Sequence, residues 1–284
     1  MVNYQALLIG LSAIALLLHP VPLIYFAFKE LDIPALSFYF WITVQLIENI
    51  INCSIWGGKG FSSTWNGRVY CDIMVYINDG CLTGIVCSMF ALSFRSYVLL
   101  GVKPFFSKPK KYQHITYFLI CWVSPIIVMG LIYLVYMSRY AIVKYDGCTS
   151  VHDSDWLNYF LMSFFSLGWS LATVVVSILT LYEYYKRRFD ANDLVRSSNS
   201  GTSMSRIWRT LALCLICCIA QIPMTVVYII TDNYESSPDY DFREIHSSRW
   251  WDTIIYYNHS QPYYTRWIYV AASFLASILL GVGE

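Results

Sequence analysis

Long apolar runs separated by short polar stretches organise this chain. Seven runs reach the roughly 20 residues needed to cross ~30 Å of hydrocarbon. They lie at about 6–28, 33–56, 70–100, 114–137, 156–185, 207–231 and 265–282. None alternates apolar and polar positions as a barrel strand does. Lipid offers the backbone no hydrogen-bond partner, so each run is expected to be a helix. Pro20, Pro22, Pro125 and Pro223 fall inside spans and predict kinks. The expected fold is an all-α membrane protein, one seven-helix transmembrane bundle over residues 1–284. No repeat relates its halves, which counts against an inverted-repeat transporter.

Basic residues set the expected orientation. The loops 29–32, 101–113 and 186–206 hold ten Lys and Arg in 38 residues, and the opposite set holds six in 68. The first set is read as cytoplasmic, which places the N-terminus outside. The loop 186–206 is also Ser/Gly-rich and suits either an acidic partner or anionic membrane lipid; a plain topology determinant is the simpler account. Asn258-His259-Ser260 is then an outer glycosylation sequon, at Asn258.

Composition agrees with a membrane protein. The chain is 57% hydrophobic and 13% charged, against about 25% charged in soluble domains. Net charge of +1 gives no field for nucleic acid. The first apolar run has no Lys or Arg before it, so it is read as a retained span and not as a cleaved signal.

Polar groups inside spans stand out because they are costly in lipid. Gln45, Glu48 and Asn52 share one face of the second span, with Asn49 beside them. Asp72, Tyr76 and Asp79 share a face of the third, and Gln221, Thr225 and Tyr228 a face of the sixth. All three stripes sit toward the outer half, as a water-filled pocket open outward would require. The plainer account is hydrogen bonding between helices, worth about 0.6 kcal/mol per bond. That account suits Asn49, Asn78 and Gln221; Glu48 and Asp79 carry charge and favour a pocket or switch. A second aromatic signal lies at 248–267, where Trp250, Trp251, Tyr256, Tyr257, Tyr263, Tyr264 and Trp267 crowd the entrance to the seventh span. Interfacial belts are also rich in Trp and Tyr.

Of nine cysteines, seven lie within spans, where Cys acts as a small apolar residue. Cys71 and Cys148 sit at the outer edge, facing an oxidising compartment. A bridge between them would pin the fourth-to-fifth loop over the third span; two free thiols are the alternative.

No catalytic constellation appears. The five histidines are scattered over both sides, Cys214 and Cys217 have C-x-x-C spacing only in mid-span, and no phosphate-cradling loop follows a strand. The last lysine is Lys186, so the seventh span has no Schiff-base residue. No enzyme and no cofactor or metal is expected. A carrier using Glu48 and Asp79 is the alternative function.

Seven spans with an outer N-terminus suggest a G-protein-coupled receptor, although the third span ends "FRSY" and the seventh lacks Asn-Pro-x-x-Tyr. Several words at loop–span junctions run in order along the chain: "WNGRVYCDI" (65–73), "RYAIVKYDGC" (139–148), "YKRRFDANDL" (185–194), "NSGTSMSRIWRTL" (199–211) and "HSSRWWDTII" (246–255). They resemble the fungal a-factor-type mating pheromone receptors, the class D lipopeptide receptors. The resemblance implies a secreted farnesylated peptide pheromone as ligand, a heterotrimeric G protein inside and a MAP-kinase mating response at the plasma membrane. Family members continue into a long cytoplasmic tail, which is expected to be absent from a chain that stops at Glu284.

A farnesyl chain suits an entry lined by Trp250, Trp251, Tyr256 and Trp267. The peptide would meet Glu48, Asn52, Asp72, Tyr76, Asp79 and Tyr228. Pro223 is the expected activation hinge. Movement of the sixth span would offer Arg206 and Arg209, with Arg95, Arg187 and Arg188, to the Gα C-terminus, a negative dipole end. A homodimer is among the expected assemblies.

Overall fold

The computed structural model describes residues 3–100, 109–152, 155–186, 204–232, 241–246, 251 and 253–281. Seven helices carry the apolar runs. They are α1 (Tyr4–Leu18), α2 (Ile33–Trp56), α3 (Tyr70–Leu100), α4 (Lys110–Leu131), α5 (Phe165–Lys186), α6 (Met204–Asp232) and α7 (Tyr264–Gly281). Six of the apolar segments among the described residues are long and hydrophobic enough to cross a membrane. The exception is α2, which has the length but dilutes its hydropathy with Gln45, Glu48, Asn49 and Asn52.

The helix ends have local causes. Asn3 accepts from the Ala6 N–H at 3.2 Å and starts α1. Pro20 cannot supply the N–H a continuing helix needs, and α1 ends there. The chain goes on through a short helix, Pro20–Ile24, and a π turn, Tyr25–Glu30, which closes on Leu31 at φ 46°. Asp32 then caps α2 through the Ala35 N–H, with Pro34 in the first turn. By contrast α4 and α6 run on through Pro125 and Pro223.

The central helix is α3. Its buried face meets the small-residue stripe Ser166, Ser170, Thr173, Ser177 and Thr180 of α5, and Ser177 donates to Ser93 at 3.2 Å. Small side chains let helices approach where no hydrophobic force drives them together. One core cluster joins Trp41 and Ile42 of α2, Val86 and Met89 of α3, Leu213 of α6 and Ala276 of α7. Gly84 faces Trp41, and a Cβ there would lie 2.5 Å from the indole, so only glycine permits this α2–α3 spacing.

One end of the bundle departs from the all-helical expectation. The fourth helix stops short of residue 137: a 3-10 turn over Ile132–Val135 leads into strand β1 (Tyr136–Val143). β1 pairs antiparallel with β2 (Gly147–His152), and on its other edge parallel with β3 (Ile255–Tyr257). The sheet order is β2-β1-β3. The alternation of β1 is clear at its start, where Tyr136, Ser138 and Tyr140 are buried and their neighbours half-exposed. Apolar content hid this strand because both faces are largely covered. Beneath the sheet, Trp56, Val75, Ile132, Tyr140, Ile142 and Leu161 form a second core. A disulfide joins Cys71, in the first turn of α3, to Cys148 of β2.

Candidate functional site

The hairpin turn is driven into the bundle. Tyr145 and Gly147 both have φ 71°, and a Cβ on Gly147 would lie 2.4 Å from Asn52 Cγ. The turn therefore requires glycine for both its backbone and its closeness to α2. Between them Asp146 points inward. Its carboxylate takes the Tyr263 N–H at 3.2 Å, and its carbonyl takes Asn52 Nδ2 at 2.7 Å.

Arg266, in the first turn of α7, completes a buried charge cluster. Its Nη2 donates to Glu48 Oε1 at 3.1 Å and its Nε lies 3.4 Å from Asp146 Oδ1. Nη1 reaches Asn49 Oδ1 at 3.2 Å, and Nη2 also reaches the Asp146 carbonyl at 2.9 Å. Glu48 takes a further bond from Asn52 at 2.9 Å, and Tyr70 donates to Asn52 at 3.0 Å. One guanidinium thus holds two carboxylates, and Arg, Glu and Asp are all below a tenth exposed. Burial pushes the Asp146 carboxyl up to about 6, against the opposing pull of Arg266.

A cavity of about 670 Å³ opens beside this cluster, between β2 and helices α3, α5, α6 and α7. Its polar wall includes Asp79, Ser150, His152, Ser163, Gln221, Thr225 and Arg266. Its apolar wall includes Leu82, Met162, Met224, Val227 and Ile268. Tyr136 donates to Asp79 Oδ2 at 2.6 Å, and its ring lies 5.3 Å from that of His152. Ser150 Oγ and His152 Nε2 are 2.9 Å apart. Burial holds the His152 imidazole down at about 4, so it is neutral at physiological pH.

The residues anticipated for ligand contact do not gather in one place. Among those described, Asp79 alone lines the cavity. Glu48 and Asn52 stand behind Arg266. Asp72 is engaged by Arg139 of β1, whose Nε donates at 3.0 Å. Tyr76 packs on Tyr136 at 5.0 Å, and Tyr256 on Phe61 at 5.8 Å. Trp251 sits in an aromatic nest with Tyr133 at 5.5 Å and His246 at 5.1 Å. Trp267 packs toward α1 with Leu8 and Val270. Trp250 and the Tyr228 side chain lie outside the described residues. Asn258 is exposed at the sheet end.

At the opposite end, two of the arginines are engaged within the bundle. Arg95 of α3 bonds Asp32, the cap of α2, and the pair is largely buried. Arg206 of α6 donates to the Tyr25 hydroxyl at 2.6 Å and lies 5.0 Å over the Tyr25 ring. Arg209 donates to the Ser205 carbonyl at 3.4 Å. Arg187 and Arg188 lie outside the described residues. Pro223 is exposed on an unbroken α6.

Sequence reasoning missed Arg266, Asp146, His152 and Ser163. Arg266 had a usable signal, since an arginine at the start of an apolar span needs a partner. Asp146 had none, because nothing in the sequence brings a loop turn down to the second span.

Long apolar helices, with a cavity at one end and engaged arginines at the other, define a helical membrane protein. The pattern of the family described as Pheromone A receptor (STE3) matches residues 7–284, and this chain belongs to that family. It is a multi-pass membrane protein. It is 30% identical to the pheromone a factor receptor of Saccharomyces cerevisiae, over 99% of this chain and 60% of that relative. It is 24% identical to the pheromone M-factor receptor of Schizosaccharomyces pombe, over 75% of this chain and 58% of the relative. A pheromone B alpha 3 receptor of Schizophyllum commune is 22% identical over 75% of this chain and 34% of its own length. The chain thus spans about 60% of the first relative's length and less of the others.

Proposed function

We propose that this protein is a plasma-membrane, G-protein-coupled receptor for a secreted farnesylated peptide pheromone, with the sheet end and the N-terminus outside. Membership of the pheromone receptor family supports a pheromone-sensing role. The observation that carries the ligand class is the mixed lining of the cavity, with Leu82, Met162, Met224, Val227 and Ile268 set among Asp79, His152, Gln221, Thr225 and Arg266. About 670 Å³ lies within the range of small-ligand sites. It suits an isoprenyl chain and the residues next to it, with the rest of the peptide left over the sheet and the aromatic residues at 256–267. The charge asymmetry of the loops supports the orientation.

Ligand binding biases one of two bundle arrangements by its differential affinity for them. The resting arrangement ties α3 and α6 to the α1–α2 turn through Arg95–Asp32 and Arg206–Tyr25. Release of these contacts would offer Arg95 and Arg206 to the C-terminus of Gα, with Arg209 on the same helix as Arg206, and so start the MAP-kinase mating response. The test is guanine-nucleotide exchange on Gα by the full receptor in vesicles, with a farnesylated peptide and its unfarnesylated form. Exchange driven by the farnesylated form alone is expected. Equal potency of the two would remove the lipid from the reading, and ligand flux without exchange would replace the receptor by a carrier.

A further inference from the structure

The cavity is lined by an acid, Asp79, that no cation meets among the described residues. Among the described residues Arg266 is the one cation along its wall, and it is committed to Glu48 and Asp146. Asp79 faces the same space and has no cationic partner among the described residues. It accepts from the Tyr136 hydroxyl at 2.6 Å and from the Ser150 hydroxyl, both neutral donors. A buried carboxylate in this position is costly unless a cation meets it. His152 does not supply that cation, because its imidazole is held neutral by burial.

Two further groups in the cavity are unsatisfied. The Ser163 hydroxyl is buried, with the residue 3% exposed, and has no hydrogen-bond partner among the described residues. His152 Nδ1 is buried and likewise unpartnered, while Nε2 is engaged with Ser150. A native interior rarely leaves such groups orphaned, and where it does the missing partner is commonly water or a ligand. An ammonium offers three donors and no acceptor. The Asp79 carboxylate and the Ser163 oxygen are acceptors that such a group can use, and a neutral imidazole nitrogen can be a third.

We propose that Asp79 is the anionic anchor for an ammonium group on the lipopeptide, with Ser163 and His152 supplying flanking contacts. The inference rests on the reading of the cavity as the pheromone site. It adds the charge of the ligand group that enters, and it makes Asp79 a specificity-determining residue. Glu48, although also acidic, is excluded from this role by its bond to Arg266.

The probe is the lipopeptide fraction from medium of the mating-partner strain, used native and after acetylation of its amines. The readout is the concentration giving half-maximal nucleotide exchange by the full receptor. Acetylation should raise that concentration about ten- to a hundredfold on the wild type, the worth of one charge-assisted contact. Asp79→Asn should raise it by a similar factor for the native fraction. On that variant acetylation should cost nothing more, and Asp79→Glu should restore much of the loss. Acetylation that leaves the wild type unaffected overturns the proposal and needs no variant. So does a full additional loss on Asp79→Asn. Ser163→Trp, which fills the cavity, separates the two levels. Unchanged potency in a surface-expressed Ser163→Trp receptor would refute the cavity as the ligand site, whereas lost potency with no acetylation effect refutes only the ammonium.

Discussion

At the scale of single residues, the site is organised by unequal numbers of charges. Arg266 neutralises one carboxylate outright, and Glu48 and Asp146 share it. The raised Asp146 carboxyl gives this imbalance a measurable sign. Its folded value of about 6 lies above its ordinary 3.8. Folding therefore favours the protonated form, and the charged form costs stability above about pH 6. That cost is relieved as pH falls through 6 and is gone below the ordinary value. Lowering the pH from 7 to 5 should thus stabilise the wild type relative to Asp146→Asn by about 1 kcal/mol. Thermal unfolding of both proteins in detergent at the two pH values measures it. A wild type that loses stability relative to the variant on acidification would show that the Arg266 pairing outweighs burial. Little of this was legible in the sequence. The stripe Gln45–Glu48–Asn52 was visible from spacing, but its spacing suits an outward-open pocket as well as the closed cluster it forms. Its partner was not, because Arg266 is 218 residues from Glu48 and the intervening topology is what joins them.

At the scale of elements, helices were readable and strands were not. Hydropathy located all seven helices because lipid imposes length and composition on each. It overran α4 by several residues, since the apolar run continues through Ile132 to Met137 while the chain changes from helix to strand. The short α6–α7 strand carries three residues and pairs only through tertiary context. The sheet is secured to α3 by the Cys71–Cys148 bond. Cys71→Ser and Cys148→Ser should lower ligand binding and surface expression equally, and the double variant should be no worse than either. Radioligand binding on intact cells, normalised to surface receptor, tests this. Additive losses would show that each thiol matters on its own account.

At the scale of the whole molecule, the two ends of the bundle are held differently. The sheet end is fixed by a covalent bond and a buried charge cluster. The opposite end is held by the Arg95–Asp32 pair and the Arg206–Tyr25 contact, which are non-covalent and reversible. Asn retains the capping ability of Asp at the start of α2 but loses its charge. Asp32→Asn should therefore loosen α3 from the α1–α2 turn without unfolding α2. Nucleotide exchange without pheromone should rise by about tenfold, a shift of about 1.4 kcal/mol between the two arrangements. Basal exchange that stays at the wild-type level, at equal surface amount, would assign the pair to static packing.

The parallel pairing of β1 with β3 also constrains how the receptor is made. Ala141 of β1 waits for Ile255, which leaves the ribosome more than a hundred residues later. Until then β1 has an open edge, and Glu48 lies in the second span without the arginine that neutralises it. Both defects are cured by one event, the insertion of the last helix, which delivers β3 and Arg266 together. A chain arrested after its sixth helix would display an unpaired strand and an uncompensated acid in the bilayer, the two marks by which membrane quality control can tell an unfinished receptor from a finished one.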